Sequence, residues 1–439
     1  MKKLIFIFIL LLSLFVFAEQ DFFSMYLDSM ENAYNGSDAK LVEKFFNILT
    51  NYDSNRYEPY YYFASTLHNL KQTKDAIPFI GRAVELNPVE ETYYLYAKML
   101  FEFDDKLFYQ TINTALSAYP VSENLNALKL DYFNSKNMVD SAYSYALFIK
   151  KRIPNDRGAL YALAKYESKM ENYTLAVSYL TQLLSLKEPK NEDYLLAGKI
   201  YTASKNYIAA NKSYLKLIAS PYRYYSLHKL SDNYFTIESY DSTLVMLDSL
   251  VKHYPDSVSP YGKMLAVFSK TKSEALLESL FIRISKNNIS DSTLLDNLSQ
   301  QLFKYDKFNQ AIELYERLSE KYPAYCSKEF IQSYFFIKDY ESSQKILSVY
   351  PLKTKVDSLF VFKYSGLNFF KQGKMDSSEF YFERAYLLND KDTILIKNLA
   401  NAYSINQKMI KLTELVESIK ETFPVLSEAL KSKYFKIQE

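Results

Sequence analysis

Side chains that could carry catalysis or bind a metal are few and scattered in this sequence. The three histidines lie far apart, at His68, His228 and His253. The sequence has one cysteine, Cys326, and no HExxH, GxSxG, phosphate-loop or dinucleotide motif. Adjacent acids such as Asp104 and Asp105 are typical of solvated turns rather than of an acid/base pair. We therefore expect a protein that is not an enzyme and that uses no metal or cofactor.

The composition points to packed helices. The chain has 439 residues, of which 48% are hydrophobic, with 42 Tyr, 31 Phe and no Trp. Seven glycines are too few for a chain rich in tight hairpin turns or phosphate-cradling loops, so we predict an all-α fold. A single hydrophobic core stops growing at about 250–300 residues, which favours several domains or an elongated array. One cysteine excludes an intramolecular disulfide, so stability must come from packing.

A helical repeat organises most of the chain, and its clearest copy begins at Leu359. The small and apolar residues of its first half follow the i, i+3, i+4, i+7 spacing of one helix face. They are Phe362, Ser365, Gly366 and Phe369. After Gly373, which can end a helix, a second stripe consists of Ser378, Phe382 and Ala385. Two helices joined by a turn form a helical hairpin, and looser copies recur with a period of about 34 residues.

The order of aromatic, small and proline residues in these copies resembles the tetratricopeptide repeat. The copies that begin at Tyr57 and Asn191 match the family pattern closely. The resemblance covers residues 57–424 as about eleven repeats. It implies an all-α, right-handed α-solenoid (superhelix) of tetratricopeptide-like helical hairpins. Because the ends of a solenoid lack a neighbour, we expect residues 19–56 to form an N-terminal capping hairpin and residues 425–439 a C-terminal capping helix.

The seventh copy, placed near Asp256, fits the pattern worst. Pro260 would lie within its first helix, and Ser279 would take a position that is normally apolar. About four extra residues would then precede the next copy, which begins at Ser292. We therefore expect a weak joint in the array at this copy.

Residues 1–18 have the pattern of a secretory signal peptide. Two lysines precede an apolar run, residues 4–17, and Val16-Phe17-Ala18 offers a cleavage site. The run is shorter than the about 20 residues of a membrane-spanning helix, which favours cleavage over a retained anchor. Removing both lysines from the 53 basic residues leaves 51 against 51 acidic ones, and a neutral chain argues against a nucleic-acid partner. We expect a bacterial protein that is periplasmic or secreted, or peripheral to the outer membrane.

In the family that the chain resembles, the first helix of each hairpin lines a concave groove, where positions 2, 5, 9 and 12 contact a ligand. The resemblance implies a partner groove at these positions of this chain. In the first part of the chain they include Tyr94, Lys98, Phe101, Tyr161, Lys165, Lys199, His228, Asp232 and Phe235. Further along they include Lys328, Lys363, Lys397 and Asn401.

The lysines at position 5 of three consecutive copies predict a row of ammonium groups that prefers acidic segments. Lys397 and Asn401 match the family's carboxylate-binding pair, whereas Gln332 and Leu367 replace the asparagine in the two preceding copies. Alternatively, Tyr and Lys occupy these groove positions only because both residue types are abundant in the chain, and not because a ligand selects them.

The sequence favours a non-catalytic scaffold of the bacterial cell envelope whose groove holds a segment of a partner protein. The alternative is a polysaccharide-binding solenoid of an envelope export system, in which tyrosine faces stack on sugar rings. The sequence leaves open which of the two ligands the groove binds.

Overall fold

The computed structural model describes residues 22–435, so the predicted signal peptide, residues 1–18, lies outside the described part. Residues 22–435 are α-helical throughout, with short connections and no strand. Among these helices, none combines the length and the hydrophobicity that crossing a membrane requires. The chain divides into two compact units, of which the first ends at Ser226 and the second begins at Leu227.

The first unit contains six helical hairpins, each made of two consecutive helices. Helix α1 covers residues 22–35. The remaining helices are α2 (Ala39–Tyr52), α3 (Tyr57–Asn69), α4 (Thr73–Leu86), α5 (Glu90–Leu100), α6 (Asp105–Ala118), α7 (Glu123–Ser135), α8 (Val139–Arg152), α9 (Arg157–Lys169), α10 (Tyr173–Leu184), α11 (Asn191–Ala203) and α12 (Tyr207–Leu215).

Helix α13 (Arg223–Thr236) leads into the second unit, which continues the same hairpin pattern and ends with a single helix. Its other helices are α14 (Tyr240–His253), α15 (Val258–Thr271), α16 (Glu274–Lys286), α17 (Ser292–Lys304), α18 (Phe308–Lys321), α19 (Lys328–Phe336), α20 (Tyr340–Val349), α21 (Lys355–Lys371), α22 (Met375–Leu388), α23 (Thr393–Ile405), α24 (Met409–Ser418) and α25 (Pro424–Tyr434). Each unit is therefore an α-solenoid of helical hairpins, as the sequence predicts.

Most hairpins turn through one residue with a positive φ angle. These residues are Ser37, Lys71, Asn137, Glu171, Lys205, Glu238, Lys272, Asp306, Lys338, Gly373 and Gln407. Glu238, Lys272 and Asp306 are separated by 34 residues each, which is the period that the sequence predicts. Only Gly373 in this set is a glycine, so the other turns hold an L side chain in a conformation that disfavours it.

Glycine allows the two helices of a hairpin to approach closely at two places. A Cβ atom built on Gly198 would overlap the ring of Tyr214, and one built on Gly366 would overlap the ring of Phe382. Both rings are fully buried. The small residue of the first helix therefore makes room for a large aromatic side chain of the second helix.

The seventh hairpin is regular, and the two sequence features from which we expect a weak joint there are not found in the structure. Its first helix begins at Val258, so Pro260 lies in the first turn, where a backbone N–H would have no helical partner. The later start places Phe281, rather than Ser279, against the core and leaves no extra residues before Ser292. One continuous core crosses this hairpin and includes Leu250, Tyr261, Met264, Phe268, Leu277, Ile284 and Leu298.

Candidate functional site

An open cavity of about 810 Å³ lies in the first unit against the first helices of three consecutive hairpins. Helices α7 and α9 supply most of its wall, and the starts of α8 and α11 contribute the rest. Polar side chains of both charges face it, among them Glu123, Asn124, Asp131, Arg157, Lys165 and Glu192. We call this cavity the inner groove. Its position on the first helices is the one that the family resemblance implies.

Two predicted groove residues, Tyr161 and Lys165, line the inner groove. Lys98 and Phe101 line a smaller cavity of about 210 Å³. Asp131 borders both cavities, so the two adjoin.

The remaining two predicted residues of the first unit, Tyr94 and Lys199, take part in cation–ring contacts. The Nζ atom of Lys98 lies 5.9 Å from the ring centroid of Tyr94. That of Lys199 lies 5.5 Å from the ring centroid of Tyr225.

Carboxylates in the inner groove are partly desolvated. Asp156 is 3% exposed and caps α9 by accepting a hydrogen bond from the backbone N–H of Ala159 at 2.7 Å. Burial raises the pKa of Asp156, and the capping bond only partly offsets it. Desolvation also raises the pKa of Asp131, against the opposing effect of the Lys165 cation. Burial raises the pKa of Tyr161, and the carboxylates of Asp193 and Glu192 add to that rise.

An ion pair with a buried carboxylate lies at the α11 end of the inner groove. The carboxylate of Asp193 has 2% of its surface exposed and pairs with the guanidinium of Arg157. It also accepts a hydrogen bond from the backbone N–H of Lys190 at 2.8 Å, within the capping box of α11. Arg157 donates in addition to the carbonyls of Lys187 and Glu188. The pair therefore holds α11 against α9, a role that reasoning from sequence missed.

One of the three predicted residues on α13 forms an ion pair. Asp232 pairs with Lys263 of α15, and Lys229 lies 3.8 Å from the same carboxylate. Burial lowers the pKa of His228, and the two lysine cations lower it further. The ring of Phe235 packs 5.8 Å from that of Tyr240.

Two lysines of the predicted ammonium row are ion-paired. Lys328 Nζ lies 3.2 Å from the carboxylate of Asp357, and Lys363 Nζ lies 2.6 Å from that of Asp392. Each carboxylate belongs to the start of the following first helix. Lys397 is exposed, and the element that follows its hairpin, α25, begins with Pro424 and apolar residues rather than with an acid.

The predicted partner of Lys397, Asn401, faces the last helix. Its Oδ1 atom accepts hydrogen bonds from Lys433 at 3.0 Å and from the hydroxyl of Tyr434. The side-chain amide of Asn401 is thus committed to packing α25 onto α23.

Further polar pairs join successive hairpins of the second unit. The hydroxyl of Tyr325 donates to Asp296 at 2.5 Å, and the amide of Gln332 donates to the hydroxyl of Tyr364 at 2.5 Å. With the pairs of Lys328 and Lys363, these bonds form a series that we call the inter-hairpin ladder. Residues 22–435 hold no group of three or more His, Cys, Asp or Glu side chains suited to a metal ion.

Comparison with known proteins agrees with this architecture. Residues 57–90 match the family model described as tetratricopeptide repeat. No curated protein matches the chain at a significant level.

Three solved structures illustrate the similarity. A structure of pilF of Pseudomonas aeruginosa is 18% identical, with a TM-score of 0.39, over 48% of this chain and 96% of that one. PilW, described as a type IV pilus biogenesis factor, is 18% identical, with a TM-score of 0.37, over 45% and 93%. YrrB, described as a protein with an unusual peptide-binding site, is 16% identical, with a TM-score of 0.32, over 41% and 90%.

The matched repeat begins at the first residue of α3 and ends at that of α5, so it contains one complete hairpin and its connection. The hairpins that follow repeat its two helices and, in most cases, its left-handed turn residue. Residues 57–90 therefore form a tetratricopeptide repeat, and the described chain around them is an α-solenoid of similar helical hairpins.

Proposed function

We propose that this protein is a non-catalytic scaffold whose inner groove binds an extended segment of a partner protein. The observation that carries the proposal is the open cavity of about 810 Å³ that spans the first helices of three consecutive hairpins. A cavity that is open to solvent and extends over three consecutive hairpins suits several residues of an extended peptide. Tetratricopeptide repeats in general serve as protein-interaction scaffolds, which supports the same conclusion.

The lining of the inner groove suits a peptide main chain. Amide side chains of Asn124 and Asn134 offer donors and acceptors beside the charged Asp131 and Lys165. The half-buried ring of Tyr161 supplies an apolar face among them. Since both charge signs are present, we expect a segment with mixed charge rather than a strongly acidic one.

An acidic preference would depend on the lysines of the second unit. Lys328 and Lys363 would first have to leave Asp357 and Asp392, which costs the ion pairs that they form. This competition supports the inner groove, and not the lysine row, as the ligand site.

We further propose that the scaffold works in the bacterial cell envelope, exported and then periplasmic or secreted. The support is the signal-peptide pattern of residues 1–18.

Photo-crosslinking from the inner groove tests the partner. A photoreactive amino acid replaces Tyr161 in the full chain, and a matched chain carries it at Ser178, which is exposed on α10. Irradiation of cells that express each chain, followed by mass spectrometry, should yield a protein adduct from position 161 and none from position 178. A glycan adduct at position 161 would favour the polysaccharide alternative. Equal adducts at both positions, or none, would contradict the groove as a binding site.

A further inference from the structure

The second helices of the fourth to sixth hairpins carry an unusual set of cations on their exposed side. Helix α8 ends with Lys150, Lys151 and Arg152, and α12 contributes Lys212 and its capping residue Lys216. The turn residues Asn137, Glu171 and Lys205 of these hairpins are 34 residues apart, so equivalent positions of their second helices face the same side. We call these five cations and the exposed residues between them the cationic outer surface.

Negative charge is scarce on this surface. Asp140 is the one carboxylate within α8, α10 and α12. It lies in the first turn of α8, ten residues before Lys150, which corresponds to about 15 Å along a helix. None of the ion pairs found within residues 22–435 uses any of the five cations. Their charge is therefore left for an external anion.

Aromatic rings hold two of the cations in place. The guanidinium of Arg152 lies 4.5 Å from the ring centroid of Phe148, one turn earlier on the same helix. Lys150 Nζ lies 5.6 Å from the ring centroid of Tyr179 on α10. Cation–ring contacts of this kind leave the outer side of the cation accessible to an anion.

Exposed apolar side chains lie beside the cations. Phe148 and Leu147 precede the three cations of α8 and are 47% and 38% exposed. On α12, Ile208 is 69% exposed and Leu215 is 39% exposed, next to Lys212 and Lys216. Aliphatic side chains next to lysines suit the boundary between lipid headgroups and acyl chains, which offers them more apolar contact than the sugar rings of an acidic glycan do.

The second helices of the second unit lack this combination. They also expose apolar residues, such as Ile282 at 61% and Leu387 at 83%. Their charges are mixed, however, because α18 carries three glutamates beside its arginine and lysine. The cationic surface is thus a property of α8 to α12 and not of the repeat in general.

We propose that the cationic outer surface docks onto an anionic lipid bilayer, with Phe148 and Ile208 at the depth of the headgroups. Each cation near an anionic membrane contributes about 1 kcal/mol, so five can produce a stable peripheral contact. The surface belongs to second helices and the inner groove mainly to first helices. Membrane docking is therefore independent of the proposed peptide binding and leaves the inner groove accessible.

Vesicle co-sedimentation tests the proposal with the chain from Glu19 onward. The probes are vesicles that contain phosphatidylglycerol and vesicles of phosphatidylcholine alone. We expect the unmodified chain to sediment with the first kind at low ionic strength and not with the second, and salt should release it. The triple variant K151E/R152E/K212E should lose binding at least about tenfold.

A matched control makes the same charge change on second helices of the second unit. The variant K252E/K286E/K345E replaces three exposed lysines of α14, α16 and α20 and should keep full binding. If charge reversal on the outer surface lowers the melting temperature, K151Q/R152Q/K212Q replaces it, and a smaller loss of binding is expected. No binding of the unmodified chain to phosphatidylglycerol vesicles would overturn the proposal. So would an equal loss in the control, or binding to a soluble acidic polymer without binding to vesicles.

Discussion

The first helices of the hairpins in the two units occupy equivalent positions but carry different polar contacts. In the first unit they border the inner groove, where Lys165 and Asp131 face solvent across an open cavity of about 810 Å³. In the second unit they are joined by the inter-hairpin ladder, in which Lys363 reaches Asp392 at 2.6 Å. The same hairpin repeat thus borders an open cavity in one unit and carries a series of polar pairs in the other, although Arg157 and Asp193 also join α9 to α11 in the first unit.

Two capping aspartates show the difference most directly. Asp156 caps α9 beside the inner groove, and burial holds its pKa above the ordinary value. Asp392 caps α23 in the ladder, where burial also raises its pKa. The hydrogen bonds from Lys363 and from two backbone N–H groups outweigh that rise, and the pKa of Asp392 ends below the ordinary value. A lysine in the preceding hairpin therefore converts an unfavourable buried charge into a favourable one.

The largest expected effect comes from a packing feature that both units share. Gly198→Ala and Gly366→Ala each place a Cβ atom into an aromatic ring, and each should lower the free energy of unfolding by about 2–3 kcal/mol. Denaturant unfolding measures the loss in both variants. The control is Gly262→Ala, because a Cβ atom there meets no atom within 4 Å. It should stabilise the protein by up to about 1 kcal/mol. If Gly198→Ala is harmless, the two units differ in core packing as well as in charge.

Two prolines give the next largest contrast. Pro78 lies inside α4 of the first unit, where it removes a helical hydrogen bond, whereas Pro260 lies in the first turn of α15. Pro78→Ala should therefore stabilise the protein by about 2 kcal/mol, and Pro260→Ala should change its stability by less than about 0.5 kcal/mol. Thermal unfolding compares the two. A large gain from Pro260→Ala would restore the interpretation of the seventh hairpin as a strained joint.

The capping aspartates predict opposite responses to pH. Because the folded pKa of Asp392 is lowered, its ionised form stabilises the fold above the ordinary carboxyl range, and that stability is lost as the pH falls through the folded value. Asp392→Asn should cost about 1–2 kcal/mol at neutral pH and weaken the loss of stability on acidification. Asp156 has a raised pKa, so its ionised form is disfavoured in the fold and acidification relieves this cost.

Asp156→Asn keeps a capping acceptor and should change stability by less than about 0.5 kcal/mol at neutral pH. Unfolding free energies of the two variants, measured from neutral to acidic pH, check both expectations. Equal losses at neutral pH would mean that the lysine of the ladder contributes nothing beyond the cap.

The smallest effect concerns the lysines themselves. Lys363→Glu places a carboxylate beside Asp392 and should lower stability by about 1 kcal/mol. Lys165→Glu changes an exposed side chain of the open groove and should cost less than about 0.5 kcal/mol. Melting temperatures at low and high salt measure both, and salt should reduce the loss in Lys363→Glu. If Lys165→Glu lowers the melting temperature more than Lys363→Glu does, the ion pairs of the inter-hairpin ladder contribute less to stability than the charges of the inner groove.

Much of the fold could be predicted because it depends on residues close in sequence. The copy that begins at Leu359 contains its own helix faces and turn glycine, and α21 and α22 are the two helices that it predicts. The sequence pattern places the start of the seventh copy two residues too early, near Asp256, which makes Pro260 an interior helix residue rather than one of the first turn. The spacing of residue types within one copy does not distinguish an interior helix position from the first turn. The constant distance of 34 residues between the starts of copies, from Tyr224 to Val258 and on to Ser292, does distinguish them.

The candidate site was less predictable because it depends on contacts between hairpins. Two residues at the family positions, Tyr161 and Lys165, line the inner groove. They could not show that Lys363 would meet Asp392, since that pair joins residues 29 positions apart on different hairpins. Arg157 and Asp193 were missed for the same reason. Comparing the charges at the starts of adjacent copies would have revealed both pairs.

Substitution of the left-handed turn residues by glycine is a way to raise the thermal stability of the protein. Lysine, glutamate, asparagine or aspartate occupies most of these turns at positive φ, and only Gly373 has the residue that adopts this conformation without strain. Replacing such a residue by glycine relieves about 1 kcal/mol of strain, partly offset by the greater freedom of glycine in the unfolded chain. The turns lie in separate hairpins, so small gains should add. Apart from Asn137, which lines the inner groove, these turns can therefore be changed to raise the thermal stability of the array without altering the proposed peptide site.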